Sequence, residues 1–303
     1  MPPVLGLYGL SRNSHSSKGY SLVPFPDALD LLHYSLAHGI SLFDTAPGYG
    51  NGNASRLLAA LSRTSSDFFV NSKIGLDIES NHFNLSLIRP HLDHLASFPF
   101  FNYSTIFLHS PPCRVIQDFD LILSLKELIV SILGSHVKFG ISLASPSDFT
   151  GLNQVLSIID SLQVNLSWLD LRFLPFLSYL DLPIFARSVY GSGLIPHIVS
   201  SKSYEHLLDF PPTFSPQDDR SSWDMSTFLP RVEHDIRRIF SVSQILNTSN
   251  SSIIASSLFN VLPSNIIPVV GSLSISELQQ YIESASRPIS NQSLAQLSSL
   301  VSA

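Results

Sequence analysis

The stretch FDTAPGYGNG, residues 43–52, places a carboxylate (Asp44) and a phenol (Tyr49) five positions apart around a Pro-Gly turn. Farther along, Lys73 ends the core of VNSKIG and His109 ends the apolar run in IFLHSPP. A carboxylate, a phenol, an ammonium and an imidazole are the side chains with which proteins hold charge and move protons. Taken singly, each has a structural reading. A tyrosine in a Pro/Gly turn packs as an aromatic, a lysine at a strand end snorkels to water, and a single histidine satisfies a local hydrogen bond. They form a catalytic constellation only if one fold brings all four to the same place.

The elements that would do so alternate along the chain. Eight short, mostly apolar runs read as strands: PVLGLYGL, ISLFDT, DFFVNSKIG, STIFLHS, HVKFGIS, SLQVNLS, LPIFARS and NIIPVVG. Helical patterns lie between them. PDALDLLHYSLAHG has Pro near its start and Gly after its end, and Pro90 must start or kink the helix in NLSLIRPHLDHLA. Other helices are expected in ASRLLAALSR, DFDLILSLKELIVSILG, SPSDFTGLNQVLSII, STFLPRVEHDIRRIFSV, SSIIASSLFNVL and SISELQQYIESA. Strands without polar alternation are covered by helices on both faces. Eight such units predict an α/β fold, a closed parallel (β/α)8 TIM barrel, as one domain over residues 1–303. SNQSLAQLSSLVS adds a C-terminal helix, and the polar segment around 201–226 reads as a long loop. A doubly wound sheet would want G-x-G-x-x-G after its first strand, and LGLYGLSRN does not match it. In a barrel, active residues gather at the C-terminal strand ends. Asp44, Lys73 and His109 fall there on three neighbouring strands, with Tyr49 in the loop that follows the first of them.

Composition narrows the function. Hydrophobic residues make up 44% of the 303 and charged residues 13%, enough to bury a large core. A net charge of −6 without long runs of one sign gives no electrostatic support for nucleic acid or an anionic membrane. The single cysteine, Cys113, excludes a disulfide framework and a Cys-based metal site. His91 and His94 have an i, i+3 spacing that could share a metal, but no third ligand is evident and no metal is expected. The N-terminal sequence does not read as a signal peptide, and no apolar run is long enough to span a bilayer, so a cytoplasmic protein is expected. The N-x-S sequons then follow from abundant serine. Asp118 and Asp120 suit the start of a helix. Trp223, Phe210 and Phe214 are candidates either to wall a pocket or to anchor the long loop.

FDTAPGYGN, NSKIG, IFLHSPP, VKFGIS, LQVNLS, FARSVYGSGLIP and IIPVVGSLSISELQQYI occur in this order and resemble the aldo-keto reductase family over roughly residues 4 to 285. The resemblance implies a (β/α)8 barrel binding NADP(H) or NAD(H) without a Rossmann motif. It implies that Asp44, Tyr49, Lys73 and His109 are the catalytic tetrad. Hydride reduction of a carbonyl creates an alkoxide that needs a proton, and a free phenol is a poor donor at neutral pH. An ammonium beside a phenol makes it a better acid. Asp44 would keep that ammonium charged and oriented, while His109 would donate a hydrogen bond to the carbonyl. By the same resemblance Ser142 and Gln163 hold the nicotinamide carboxamide, with Asn165 adjacent but its direction open. Arg187 stands where many relatives stack an aromatic ring. Ser188, Val189, Tyr190, Gly191, Gly193 and Leu194 belong to a loop passing the pyrophosphate, and Gly271, Ser272 and Ser274 would cradle a phosphate.

The chain also departs from the family pattern. No cation follows Gly271, where many NADPH-using relatives have one, so NADH becomes credible. Leu143 replaces a common Asn, and the usual Ser-Glu after the tyrosine loop is missing. The expected function is NAD(P)H-dependent reduction of an aldehyde or ketone to an alcohol, with a small-molecule carbonyl or alcohol as partner. An NAD-dependent sugar or secondary-alcohol dehydrogenase is the alternative, and a non-catalytic cofactor-binding regulatory subunit the third reading.

Overall fold

The computed structural model describes residues 2–12, 20–216 and 218–302. Eight strands close into a barrel: β1 Val4–Gly6, β2 Leu42–Asp44, β3 Phe69–Ile74, β4 Asn102–His109, β5 Lys138–Ser142, β6 Ser161–Asn165, β7 Ile184–Arg187 and β8 Ile266–Gly271. Each pairs in parallel with its neighbours in chain order, and β8 closes on β1. Seven lie within the runs expected from the sequence, trimmed at one or both ends, and β4 begins two residues before its expected run STIFLHS.

Register and pleat place the chemistry. Gly6 lies opposite Asp44, Lys73 opposite Phe107, His109 opposite Ser142, Ser142 opposite Gln163, and Asn165 opposite Arg187. Side chains of a strand alternate between its faces, so residues two apart share one. Val4, Phe107, Phe185, Ile267 and Val269 form a small buried cluster of their own, separate from the main core. Two residues farther along four of these strands stand Gly6, His109, Arg187 and Gly271. The barrel is thus plugged with apolar side chains below and carries its polar ones at the C-terminal rim. The main core fills the space between strands and outer helices, with Trp168, Phe43, Phe68 and Phe139 among its fully buried members.

Some elements differ from the sequence reading. SPSDFTGLNQ forms a 3-10 helix, Pro146–Gln154, rather than an α-helix. Ser145 and Asp148 cap it reciprocally, but Thr150, Gly151 and Asn153 are weak helix formers. The single helix expected in STFLPRVEHDIRRIFSV is two, Met225–Arg231, which carries Pro230 inside it, and Glu233–Ile245, with Val232 leaving helical geometry between them. Pro90 sits in the first turn of the helix Ile88–Ala96, where its missing N–H costs nothing. The segment expected as a loop at 201–226 contains a helix, Tyr204–Asp209, capped by Ser203, and a 3-10 turn, Asp219–Ser222. A small antiparallel hairpin, Leu76–Asp77 with His82–Phe83, follows β3 and was not anticipated. The terminal helix Asn291–Ser302 buries Leu297 and lies against Glu233–Ile245, on the flank of the barrel. No described helix is long and apolar enough to cross a membrane.

Candidate active site

At the rim, the carboxylate of Asp44 accepts from the Lys73 ammonium at 2.5 Å through Oδ1 and from the Gln163 amide at 2.7 Å through Oδ2. Lys73 Nζ also donates to the Thr45 carbonyl at 3.0 Å. Ser142 Oγ donates to Gln163 Oε1 at 3.0 Å, completing a buried chain from β5 through β6 to β2 and β3. Burial alone would discharge Lys73. The neighbouring Asp44 and Tyr49 outweigh it and hold the ammonium above its ordinary range, so it stays charged.

Tyr49 is placed by a tight turn. The Asn53 amide donates to the Ser11 carbonyl at 2.9 Å and draws this loop onto the loop after β1. Gly50 has φ +56°, and a Cβ there would lie 1.9 Å from the Ser11 oxygen, so only glycine fits. The Tyr49 ring lies with Lys73 Nζ 5.0 Å from its centroid, Tyr8 edge-on at 5.0 Å and His109 edge-on at 6.2 Å. Burial, with the charges of Lys73 and Arg187 behind it, pushes His109 well below its ordinary range, so its imidazole is neutral at neutral pH. A neutral ring can donate one hydrogen bond without competing for the proton.

A cleft of about 1190 Å³ opens above these residues. Asp44, Tyr49 and His109 reach its surface, whereas Lys73 acts from beneath Tyr49. Ser142 and Gln163 are both 0% exposed and do not line the cleft: Gln163 reaches Asp44, and Ser142 reaches Gln163. Asn165, whose direction the strand pattern left open, faces the cleft and accepts from Ser188 Oγ at 3.1 Å. Arg187 lines the cleft and donates through Nη2 to the Leu143 carbonyl at 2.8 Å. Its Nε is enclosed without a partner.

Of the loop after β7, Ser188, Val189, Tyr190, Ser192 and Gly193 line the cleft, while Gly191 does not and Leu194 turns into the core. Ser188, Gly191, Ser192 and Gly193 all have left-handed φ, and the Gly191 and Gly193 N–H groups close the turn on the Ser188 and Tyr190 carbonyls at 2.6 and 3.0 Å. The Tyr190 hydroxyl meets Ser252 Oγ at 2.8 Å, and burial pushes its pKa up to about 12. After β8, Gly271 and Ser272 face the cleft. Ser274 instead caps the helix Ile275–Ala285, accepting from the Glu277 N–H at 3.2 Å. The Glu277 carboxylate takes the Leu273 N–H at 2.8 Å and itself lines the cleft.

Sequence reasoning missed the roof. Asp218, Asp219 and Arg220 reach over the cleft from the segment expected as a plain loop. The Tyr8 hydroxyl donates to Asp219. Arg220 pairs with Asp218 at 2.7 Å, donates to the Ser192 carbonyl at 3.1 Å, and lies between the rings of Tyr20 and Phe214 at 4.4 and 4.3 Å. The acid pair and arginine in SPQDDRSSWD were the only hint in the sequence. Phe214 thus anchors this strap. Trp223 packs against Phe214 and Phe228 outside the cleft, and Phe210 is 69% exposed. His91 accepts from the Gly75 N–H at 3.1 Å and His94 pairs with Ser55 at 3.0 Å, so both serve local packing. Cys113 lies 3.4 Å from Thr150 Oγ1.

A parallel barrel with proton-handling side chains converging on one rim cleft describes a class of enzymes, and the match to known proteins specifies which. Residues 5–302 match the model of the Aldo/keto reductase family, and the chain belongs to that family. It is an NAD(P)(H)-dependent oxidoreductase of the aldo-keto reductase type. Similar solved structures include a glycerol dehydrogenase from Gluconobacter oxydans, at 17% identity and TM-score 0.69 over 99% of this chain and 90% of that one. An aldo-keto reductase from Bacillus halodurans in its holo form is 14% identical, with TM-score 0.65 over 99% and 90%. An aldo/keto reductase from Klebsiella pneumoniae in complex with NADP and acetate is 15% identical, with TM-score 0.63 over 99% and 92%. At such identities the likeness shows the fold alone. No curated protein matches the chain.

Proposed function

We propose that this protein exchanges hydride between NAD(P)(H) and a small carbonyl or alcohol substrate, reducing an aldehyde or ketone with Tyr49 as the general acid. The observation that carries this is the buried Lys73–Asp44 pair beneath the Tyr49 ring, opposite a neutral His109. The residues fit a dinucleotide: the cleft of about 1190 Å³ is lined by both polar and apolar groups, Gly271 leaves backbone open to close approach, and the enclosed Nε of Arg187 lacks a partner. Ser188, Val189, Tyr190, Gly193, Gly271 and Ser272 would hold it, and when bound it supplies the hydride. Tyr49 gives the proton to the oxygen as the alkoxide forms, and Lys73 stabilises the phenolate left behind. Asp44, fixed by Gln163, keeps Lys73 in place, and His109 orients and polarises the carbonyl. A cytoplasmic setting belongs to the same proposal and is checked by cell fractionation.

Tyr49→Phe tests the assignment. Dinucleotide binding should survive, while kcat should fall by roughly 10²–10⁴-fold, the usual worth of a placed acid. Unchanged turnover would remove Tyr49 from the chemistry, and a folded wild type that binds the dinucleotide without turning over any carbonyl or alcohol would favour a regulatory subunit.

A second reading, an NAD-dependent alcohol dehydrogenase, is favoured by Glu277. Its carboxylate already occupies the Leu273 N–H beside Ser272, where a 2′-phosphate would need a positive partner. A carboxylate can accept from a ribose hydroxyl but repels a phosphate. NADH should therefore bind more tightly than NADPH, and Glu277→Gln should narrow the difference. Tighter NADPH binding by the wild type would end this reading and leave the first.

A further inference from the structure

Among the described residues, Arg187 is the cation of this site that has no anion. Lys73 has Asp44, and Arg220 has Asp218. No carboxylate lies within ion-pair distance of Arg187 among the described residues, and its only hydrogen bond goes to a backbone carbonyl, that of Leu143. Asp44 cannot serve it, because both oxygens are taken by Lys73 and Gln163. Burial lowers the guanidinium's pKa, but from a value so high that it remains charged. The charge is felt across the site, for Arg187 is one of the groups that keep His109 neutral.

The chemistry fixes where the hydride donor must lie. The substrate oxygen sits at Tyr49 and His109, and the reacting carbons of substrate and nicotinamide must come within about 3–3.5 Å of each other. Arg187 lines the cleft at the end of β7, opposite Asn165 of β6, and its charge reaches both Tyr49 and His109. A ring presented to those two residues therefore lies in the field of the guanidinium. That ring carries a positive charge when oxidised and none when reduced, so the guanidinium's field acts on one redox form alone.

We propose that Arg187 makes this protein hold the reduced dinucleotide more tightly than the oxidised one. The inference rests on the cofactor assignment above. Two like charges about 6 Å apart at an effective dielectric constant near 20 repel strongly enough to weaken oxidised binding by roughly tenfold even after screening in an open cleft. A tighter hold on the reduced form draws the bound equilibrium toward carbonyl. In that direction the alcohol's C–H bond breaks, hydride passes to the dinucleotide, and the hydroxyl proton passes to the Tyr49 phenolate. Arg187 thus acts as a specificity residue for cofactor redox state.

Calorimetric titration of the wild type, Arg187→Gln and Arg187→Lys with NAD+, NADH and ADP-ribose tests this without any turnover. The wild type should bind NADH at least roughly tenfold more tightly than NAD+. Arg187→Gln should lose most of that ratio through tighter NAD+ binding, Arg187→Lys should keep it, and ADP-ribose, which lacks the ring, should bind all three alike. Equal affinity of the wild type for NADH and NAD+ overturns the proposal with no variant needed. So does an unchanged ratio in folded Arg187→Gln. If neither the dinucleotides nor ADP-ribose bind the folded wild type, it is the cofactor assignment that falls.

Discussion

The floor and the roof of the cleft are built on opposite principles. The floor is a closed hydrogen-bonded chain, Ser142 to Gln163 to Asp44 to Lys73, whose members are 0–4% exposed and sit on strand ends in fixed register. The roof is a strap, Asp218–Ser222, tied to the loops after β1 and β7 by Tyr8, Tyr20 and Ser192. A charged pair in the floor is paid for by the whole barrel, since a buried ammonium is tolerable only with its carboxylate and their remaining partners in place. The roof's own ion pair, Arg220 with Asp218, is nearly as enclosed, but it joins residues two apart on one segment, and only single contacts cross from the strap to the neighbouring loops. The floor is therefore rigid and fit to set charge, whereas the roof is fit to open and readmit ligand.

Breaking the two regions should cost different amounts of different quantities. Lys73→Met leaves Asp44 charged and buried without its cation, and should cost about 3–5 kcal/mol of stability as well as most activity. Urea unfolding checks this, and a loss below about 1 kcal/mol would mean the floor does not depend on its ion pair. Tyr8→Phe removes the roof's bond to Asp219, which Tyr8 donates because burial and that carboxylate keep its phenol protonated. It should cost about 1.5–3 kcal/mol, the worth of a hydrogen bond to a charged group. Its larger effect should be faster dinucleotide release in stopped flow, and a release rate like the wild type's would mean the strap does not hold the ligand.

The smallest effect is one of pH. His109 binds its proton less readily when folded than when unfolded, mainly because it is buried. Between the two pKa values the unfolded chain holds more protons, so stability rises with pH there. The contribution is present above about pH 6.5 and is lost as pH falls below it. His91, His94 and His197 are shifted the same way by burial, so His109→Gln should flatten the acid limb without abolishing it. An unaltered limb in thermal melts from pH 7 to 5 would show that His109 is not held neutral.

The two regions also differ in how far they could be read. Every floor residue stands in or at the end of an apolar strand, and the two-residue pleat carries a side chain's facing along a strand without knowledge of its neighbours. The eight strands, the closed barrel and the placing of Asp44, Lys73 and His109 at one rim were therefore accessible from local pattern. What Ser142 and Gln163 touch was not, because pattern gives a side chain's face but not its partner. Both were expected at the nicotinamide; in the structure Ser142 donates to Gln163, and the Gln163 amide donates to Asp44. The roof left almost no trace, since its contacts join residues as far apart as Tyr8 and Asp219 and obey no period.

The sequence by itself determined the strand count, the periodic burial and the order in which a carboxylate, a phenol, an ammonium and an imidazole reach the rim. These depend on spacing along one chain, which apolar periodicity and turn residues fix locally. The tertiary structure alone decided which charges are paired: Lys73 with Asp44, Arg220 with Asp218, Glu277 on the Leu273 amide, and Arg187 with none. Pairing depends on distances between strands and loops remote in sequence, and in a buried site those distances decide which charges persist and what they act on.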